Sequence, residues 1–201
     1  MNENPDSYSS LERRFLVPAR KLLLTIYHPF IRALAALRIT PNLISFAQIP
    51  VGVIAVALMP SQPRVAFILF VAAIMLDGID GALARATNRA SAFGALFDQY
   101  CDHVREVVVV AGLALHGALN GFLAGLYGLA YVGLNITLYI CNQQRVPAPF
   151  ALKSYAIVYP AIFLFLWFRV DFLDDAVALY IAFTIVTVAF ALRRLKSAME
   201  K

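Results

Sequence analysis

The chain is poor in the groups that soluble enzymes use most. Of its 201 residues only 14% are charged, three are histidine and two, Cys101 and Cys141, are cysteine. Neither cysteine belongs to a C-x-x-C pair, and there is no imidazole–thiolate set of the kind that binds zinc. Both thiols fall in or beside apolar segments, where cysteine behaves as a small buried hydrophobe. No cleavable signal peptide, internal repeat or low-complexity segment is visible. Nor is there a polar stretch long enough for a second, soluble domain.

What the chain has instead is apolar length. Hydrophobic residues make up 61% of it, and its mean hydropathy is +0.74. Segments 41–60, 64–86, 91–117, 119–141, 148–169 and 173–195 each approach the roughly 20 residues needed to cross a bilayer as a helix. The expected fold class is an all-α integral membrane protein, a six-transmembrane-helix bundle over 41–201. Residues 1–40 are expected to form a polar N-terminus and an amphipathic interfacial helix. In that region apolar residues recur every three or four positions, interrupted by Arg13, Arg14, Arg20, Lys21 and Arg32, with breaks expected near Pro18 and Pro29.

The formal charge is +5. The cations cluster at span ends, which fits lipid headgroups and membrane orientation rather than nucleic acid. Arg64 and Arg169 fall on one side of the expected topology and Arg105 inside a span, while the rest of the 17 cations gather on the other side. That bias predicts a multi-pass protein with both termini cytoplasmic and the loop between spans two and three on the same side. Tyr139, Tyr155, Tyr159, Trp167 and Phe168 read as interfacial belt and packing residues.

One stretch breaks the apolar pattern. MLDGIDGALARATNRASAFGALFDQYCD, from Met75 to Asp102, carries Asp77, Asp80, Asp98 and Asp102. An unpaired charge in hydrocarbon costs several kcal/mol, so four acids here need a reason. Asp77 and Asp80 share a helix face, as do Asp98 and Asp102. A short turn joins the two helices, so antiparallel packing is expected to aim the pairs at each other. Such carboxylates cannot all stay ionised without cations. Oxygen-only ligands suit Mg²⁺ or Mn²⁺, with Ca²⁺ also open. Two metals are the usual arrangement for in-line displacement at phosphorus. Gly81, Ala84 and Gly94 leave room beside the acids, and Arg85 can read a phosphate. The combination suggests a pyrophosphate substrate.

The spacing D-x-x-D-G-x-x-A-R-x₈-G-x-x-x-D-x-x-x-D is met by Asp77, Asp80, Gly81, Ala84, Arg85, Gly94, Asp98 and Asp102. It resembles the signature of the CDP-alcohol phosphotransferase family. The run Arg38-Ile-Thr-Pro-Asn-Leu-Ile-Ser45 resembles a second, weaker family element. The resemblance implies that Asp77, Asp80 and Asp98 hold two divalent ions. Asp102 would join one ion or act as the base that activates an acceptor hydroxyl. Gly81, Ala84, Arg85 and Gly94 would shape a CDP pocket bordered by Thr40, Pro41 and Asn42. A homodimer is implied by the family alone. His103 departs from the pattern, since many relatives carry Arg or Lys there.

A CDP-diacylglycerol donor fits a site whose substrate tails reach hydrocarbon, which leaves a small polar alcohol as acceptor. Arg145 and Lys153 could neutralise a phosphate on glycerol 3-phosphate or an inositol phosphate, or simply anchor the cytoplasmic ends of spans. Arg105, with Glu106, could pair with Asp102 or serve the acceptor. A choline- or ethanolamine-type enzyme, with a soluble CDP-alcohol and a lipid acceptor, stays open. From other classes come a cation transporter and a metal-stabilised scaffold. Transporter sites tend to lie at the bilayer midplane between repeats, whereas these acids crowd one end.

Overall fold

A computed structural model describes residues 27–146, 148 and 150–200, and all their regular structure is helical. Helix α1 is described over 27–36. It is followed by α2 (Pro41–Leu58), α3 (Pro63–Ala86), α4 (Ala92–Leu115), α5 (Gly121–Gln143), α6 (Ser154–Phe168) and α7 (Leu173–Met199). The starts are written locally. Thr40 caps α2 ahead of Pro41, whose missing N–H costs nothing in a first turn. Ser91 Oγ accepts the Gly94 N–H at 3.0 Å to open α4. Asn120 Oδ1 accepts from Phe122 and Leu123 at the start of α5.

Among the described residues, α2, α3, α5 and α7 are long and apolar enough to cross a membrane. Helix α4 does not qualify because Asp98, Asp102, Arg105 and Glu106 crowd it. Helix α6 has 15 residues, about 22 Å at 1.5 Å per residue, against a hydrocarbon core of about 30 Å. It starts at Ser154, six residues after the expected start of the fifth span. The sequence has prolines at 147 and 149, which supply no helical N–H. The chain here is tied down by other means. Val146 N–H donates to Cys141 O at 2.9 Å, Ala148 is buried, and Lys153 Nζ donates to Asn135 Oδ1 at 2.6 Å.

The expected side-by-side packing of α3 on α4 is not what forms. Helix α2 packs along both, and α3 and α4 touch each other only slightly. The reason is close approach between α2 and α4. A methyl placed on Gly112 would lie 2.4 Å from Val56 Cγ2, and one on Gly52 would lie 3.3 Å from Arg105 Cγ. Helix α5 packs on α7 and α4, and α6 joins α3 to α7. The main core of Phe70, Val109, Tyr127, Ile162, Val177 and Tyr180 fills the space between them.

Helix α1 lays Ile31 and Leu34 onto Ile44, Ile79 and Leu83, while Arg32 points outward and is exposed. Pro29 lies in its first described turn. The rest of the expected interfacial segment, including Pro18, lies outside the described residues.

Gly112→Ala forces a methyl into the branched Val56 side chain. It is expected to lower stability by about 1–3 kcal/mol, the usual cost of overpacking. A methyl on Gly125 meets nothing within 4 Å, so Gly125→Ala is expected to be neutral or slightly stabilising. Thermal unfolding of the two variants in detergent checks the contrast.

Candidate active site

Asp77 and Asp80 sit near the C-terminal end of α3, and Asp98 and Asp102 lie in the first half of α4. Asp80 is 2% exposed. Ser45 Oγ of α2 donates to its Oδ2, and the Gly81 N–H donates to its Oδ1. The Asp80 and Asp98 carboxyls lie close enough to interact, and Asp77 and Asp102 lie within electrostatic reach of Asp98. The slight meeting of α3 with α4 thus includes their acids. Asp98 Oδ1 is buried and has no hydrogen-bond partner among the described residues.

The starts of two helices adjoin these acids. Asn42 lies in the first turn of α2 and Gly94 in the first turn of α4. A methyl on Gly94 would lie 3.5 Å from Asn42 Oδ1 and 3.1 Å from Ser91 Oγ. Pro41 is buried, Thr40 and Asn42 are exposed, and Gly81, Ala84 and Gly94 are half-buried. Arg85 is exposed on the last turn of α3. Helix N-termini present free N–H groups and partial positive charge, the usual setting for phosphate.

Asp102 is 27% exposed, and both of its oxygens are engaged. Arg105 forms an ion pair with Oδ1, and the Tyr131 hydroxyl donates to Oδ2 at 3.2 Å. Beyond Tyr131, α5 presents Asn135, which holds Lys153. Lys153 lies within electrostatic reach of His103, whose ring meets Tyr131 edge-on at 5.5 Å. Lys153 is therefore linked to the Asp102 neighbourhood. Arg145 is exposed in the turn after α5, with a left-handed φ of 57°.

Arg105 is not at an open acceptor surface. It is 2% exposed, and its other terminal nitrogen, Nη1, donates to Gln48 Oε1 at 2.7 Å. Glu106, 1% exposed, lies 3.7 Å from the same guanidinium and accepts from the Tyr127 and Tyr159 hydroxyls. Tyr159, expected as a belt or packing residue, is partly buried and joins this network. Gln48, Tyr127, Tyr131 and Asn135 were missed by sequence reasoning. Their only signal was polarity within apolar runs, with Tyr127, Tyr131 and Asn135 at four-residue spacing along one face of α5.

Residues 38–193 match the family model described as CDP-alcohol phosphatidyltransferase. The chain belongs to this family. Human CDP-diacylglycerol–inositol 3-phosphatidyltransferase is 36% identical over 75 residues, covering 37% of this chain and 35% of that protein. Archaetidylinositol phosphate synthase of Pyrococcus horikoshii is 34% identical over 90 residues, covering 44% and 48%. The match thus spans less than half the length of either relative. Phosphatidylinositol phosphate synthase of Mycobacterium tuberculosis, solved with CDP-DAG bound, superposes with a TM-score of 0.71 at 18% identity, over 87% of this chain and 94% of that one. The same synthase has been solved in complex with manganese and citrate. At that identity the likeness establishes the shared fold.

Among the described residues no three His, Cys, Asp or Glu side chains close into a ready-made coordination set. The donors present nevertheless suit a hard cation. All are carboxylate oxygens, Asp80 and Asp98 lie within interaction range, and Asp98 Oδ1 lacks a donor. Asp98→Asn is expected to weaken Mn²⁺ binding by at least about tenfold, the lower end of what losing even an outer-shell partner costs. The free-Mn²⁺ signal in electron paramagnetic resonance titrations measures this.

Proposed function

We propose that this family member transfers a phosphatidyl group from CDP-diacylglycerol to a small polar alcohol, a polyol or polyol phosphate, and releases CMP. The reading rests on one observation. Asp77, Asp80, Asp98 and Asp102 of the family signature gather beside the N-termini of α2 and α4. The relatives' names support the acceptor class, since they act on inositol or make inositol phosphate lipids. The neighbour bound to CDP-DAG supports the donor.

In this reading Gly81, Ala84, Arg85 and Gly94 line the CDP pocket, with Thr40, Pro41 and Asn42 at its border. The absence of side chains at Gly81 and Gly94 lets the diphosphate approach the backbone. Arg85 supplies a guanidinium for phosphate. Two divalent ions, Mg²⁺ or Mn²⁺, would be held by Asp77, Asp80 and Asp98 with Asp102 close by, and would offset the charge of the diphosphate. Asp102 takes the proton from the acceptor hydroxyl. The freed oxygen forms a bond to the β-phosphorus, the one that carries the diacylglycerol. The bond from that phosphorus to the bridging oxygen breaks, and CMP leaves with the electron pair. Lys153, with Asn135 and Tyr131 beside it, and Arg145 face the acceptor and neutralise its phosphate.

Helices α4 and α6 complete a six-span bundle with α2, α3, α5 and α7, over residues 41–201. The charges on α4 gather at one end of the bundle, and prolines precede the short α6. Helix α1, with Arg32 outward, lies at the interface. The cation bias puts both termini and the site on the cytoplasmic side, and two copies associate through apolar faces of the later spans. Within this family the acids serve transfer rather than cation transport.

Purified protein with CDP-diacylglycerol, Mg²⁺ or Mn²⁺ and a panel of alcohols is expected to release CMP with a polyol or polyol phosphate. EDTA stops the release, and added metal restores it. Release only from CDP-choline or CDP-ethanolamine with diacylglycerol would favour the soluble-donor type. Asp102→Asn is expected to cut kcat by about 10²–10⁴-fold while Mn²⁺ and CDP binding survive. Full activity in that variant would remove the base assignment.

A further inference from the structure

Residues from α2, α4, α5 and α6 form a polar network behind Asp102. Arg105 ion-pairs with Asp102 Oδ1. Its other terminal nitrogen reaches across to Gln48 of α2 at 2.7 Å, and its stem lies over Gly52. Glu106 stands 3.7 Å from the guanidinium and is held by Tyr127 of α5 and by Tyr159 of α6 at 2.7 Å. Tyr131, also of α5, holds Asp102 Oδ2.

A set of this kind is weak evidence for stability. Buried ion pairs can often be replaced by apolar residues at no loss. This one also leaves Arg105 Nε and Gln48 Nε2 without partners among the described residues. What it does achieve is geometric. A planar guanidinium offers donors in a rigid fork, so gripping Asp102 and Gln48 at once fixes the orientation of the Asp102 carboxylate relative to α2. Asp102 is the one member with an open side, at 27% exposure, while Arg105 and Glu106 are closed off at 2% and 1%.

We infer that Arg105 is a positioning residue, clamped by Gln48 and Glu106, that holds the Asp102 carboxylate aimed at the acceptor hydroxyl. This rests on the transferase reading and on Asp102 as its base. Arg105 therefore touches no substrate, and its effect passes through Asp102. A lysine keeps the charge but offers one compact ammonium where the fork needs two separated donors.

The test is steady-state CMP release by the full chain in detergent, with thermal stability and Mn²⁺ affinity measured alongside. Arg105→Lys is expected to lower kcat by about tenfold to a hundredfold, as loss of an outer-shell partner does. Both KM values and Mn²⁺ affinity should stay within about threefold of the parent. In an Asp102→Asn background the same substitution should cost nothing further in kcat, since the group it aims is gone. Gln48→Met loosens the fork from another helix and should give a smaller loss of the same kind. It keeps the test available if Arg105→Lys does not fold.

An acceptor KM that rises with kcat unchanged would make Arg105 a substrate contact and overturn the inference. So would a loss of Mn²⁺ binding, or an unaltered kcat in both variants. Failure of the parent protein to release CMP is a separate outcome. It removes the transferase reading itself and this inference with it.

Discussion

Like charges held close together inside an apolar bundle are the constraint on which this structure turns. Asp77, Asp80, Asp98 and Asp102 repel one another, and hydrocarbon does not screen them. Each carboxylate therefore needs donors or cations from its surroundings, and the helices are arranged to supply some of them. Ser45 of α2 reaches Asp80, the Gly81 N–H supports it, and Arg105 and Tyr131 take the two oxygens of Asp102. Asp98 keeps an oxygen without a donor, which is where a bound cation has most to contribute.

The position of α2 follows from this demand. Two acid-bearing helices packed along their length would face each other with no third source of donors. Helix α2 lies against both instead and brings Ser45 to one and Gln48 to the network behind the other. Small residues make that placement possible, since Gly112 meets Val56 and Gly52 meets Arg105 at distances that leave no space for a methyl group without adjustment. The same helix begins at Thr40 and Pro41, so its N-terminus and that of α4 lie together at the end of the bundle where the acids are.

The polar interior has two parts with Asp102 at their boundary. On one side, by the starts of α2 and α4, lie Asp77, Asp80 and Asp98 with the glycines and Arg85. On the other lie Arg105, Glu106, Tyr127 and Tyr131, almost fully enclosed, with the partly buried Tyr159. Much of the first part was legible in the chain, because D-x-x-D-G-x-x-A-R and G-x-x-x-D-x-x-x-D are local patterns whose faces follow from helical spacing. The second was not. Gln48, Tyr127, Tyr131 and Tyr159 are distant in sequence from Asp102, and each taken alone is an ordinary residue in an apolar helix. Arg105 illustrates the difference. Its spacing from Asp102 left pairing and acceptor binding equally open, and its burial against Gln48 and Glu106 separates them.

Local chemistry was sufficient for the membrane character, the places where most helices begin, the family signature and the identity of the acids. Apolar length, capping residues and helical periodicity are properties of neighbours along the chain. Tertiary packing alone decided that α2 stands against both acid helices and that a buried arginine grips the partly exposed Asp102. Those outcomes depend on which distant surfaces can approach closely enough to satisfy one another's charges, and no stretch of sequence contains both surfaces at once.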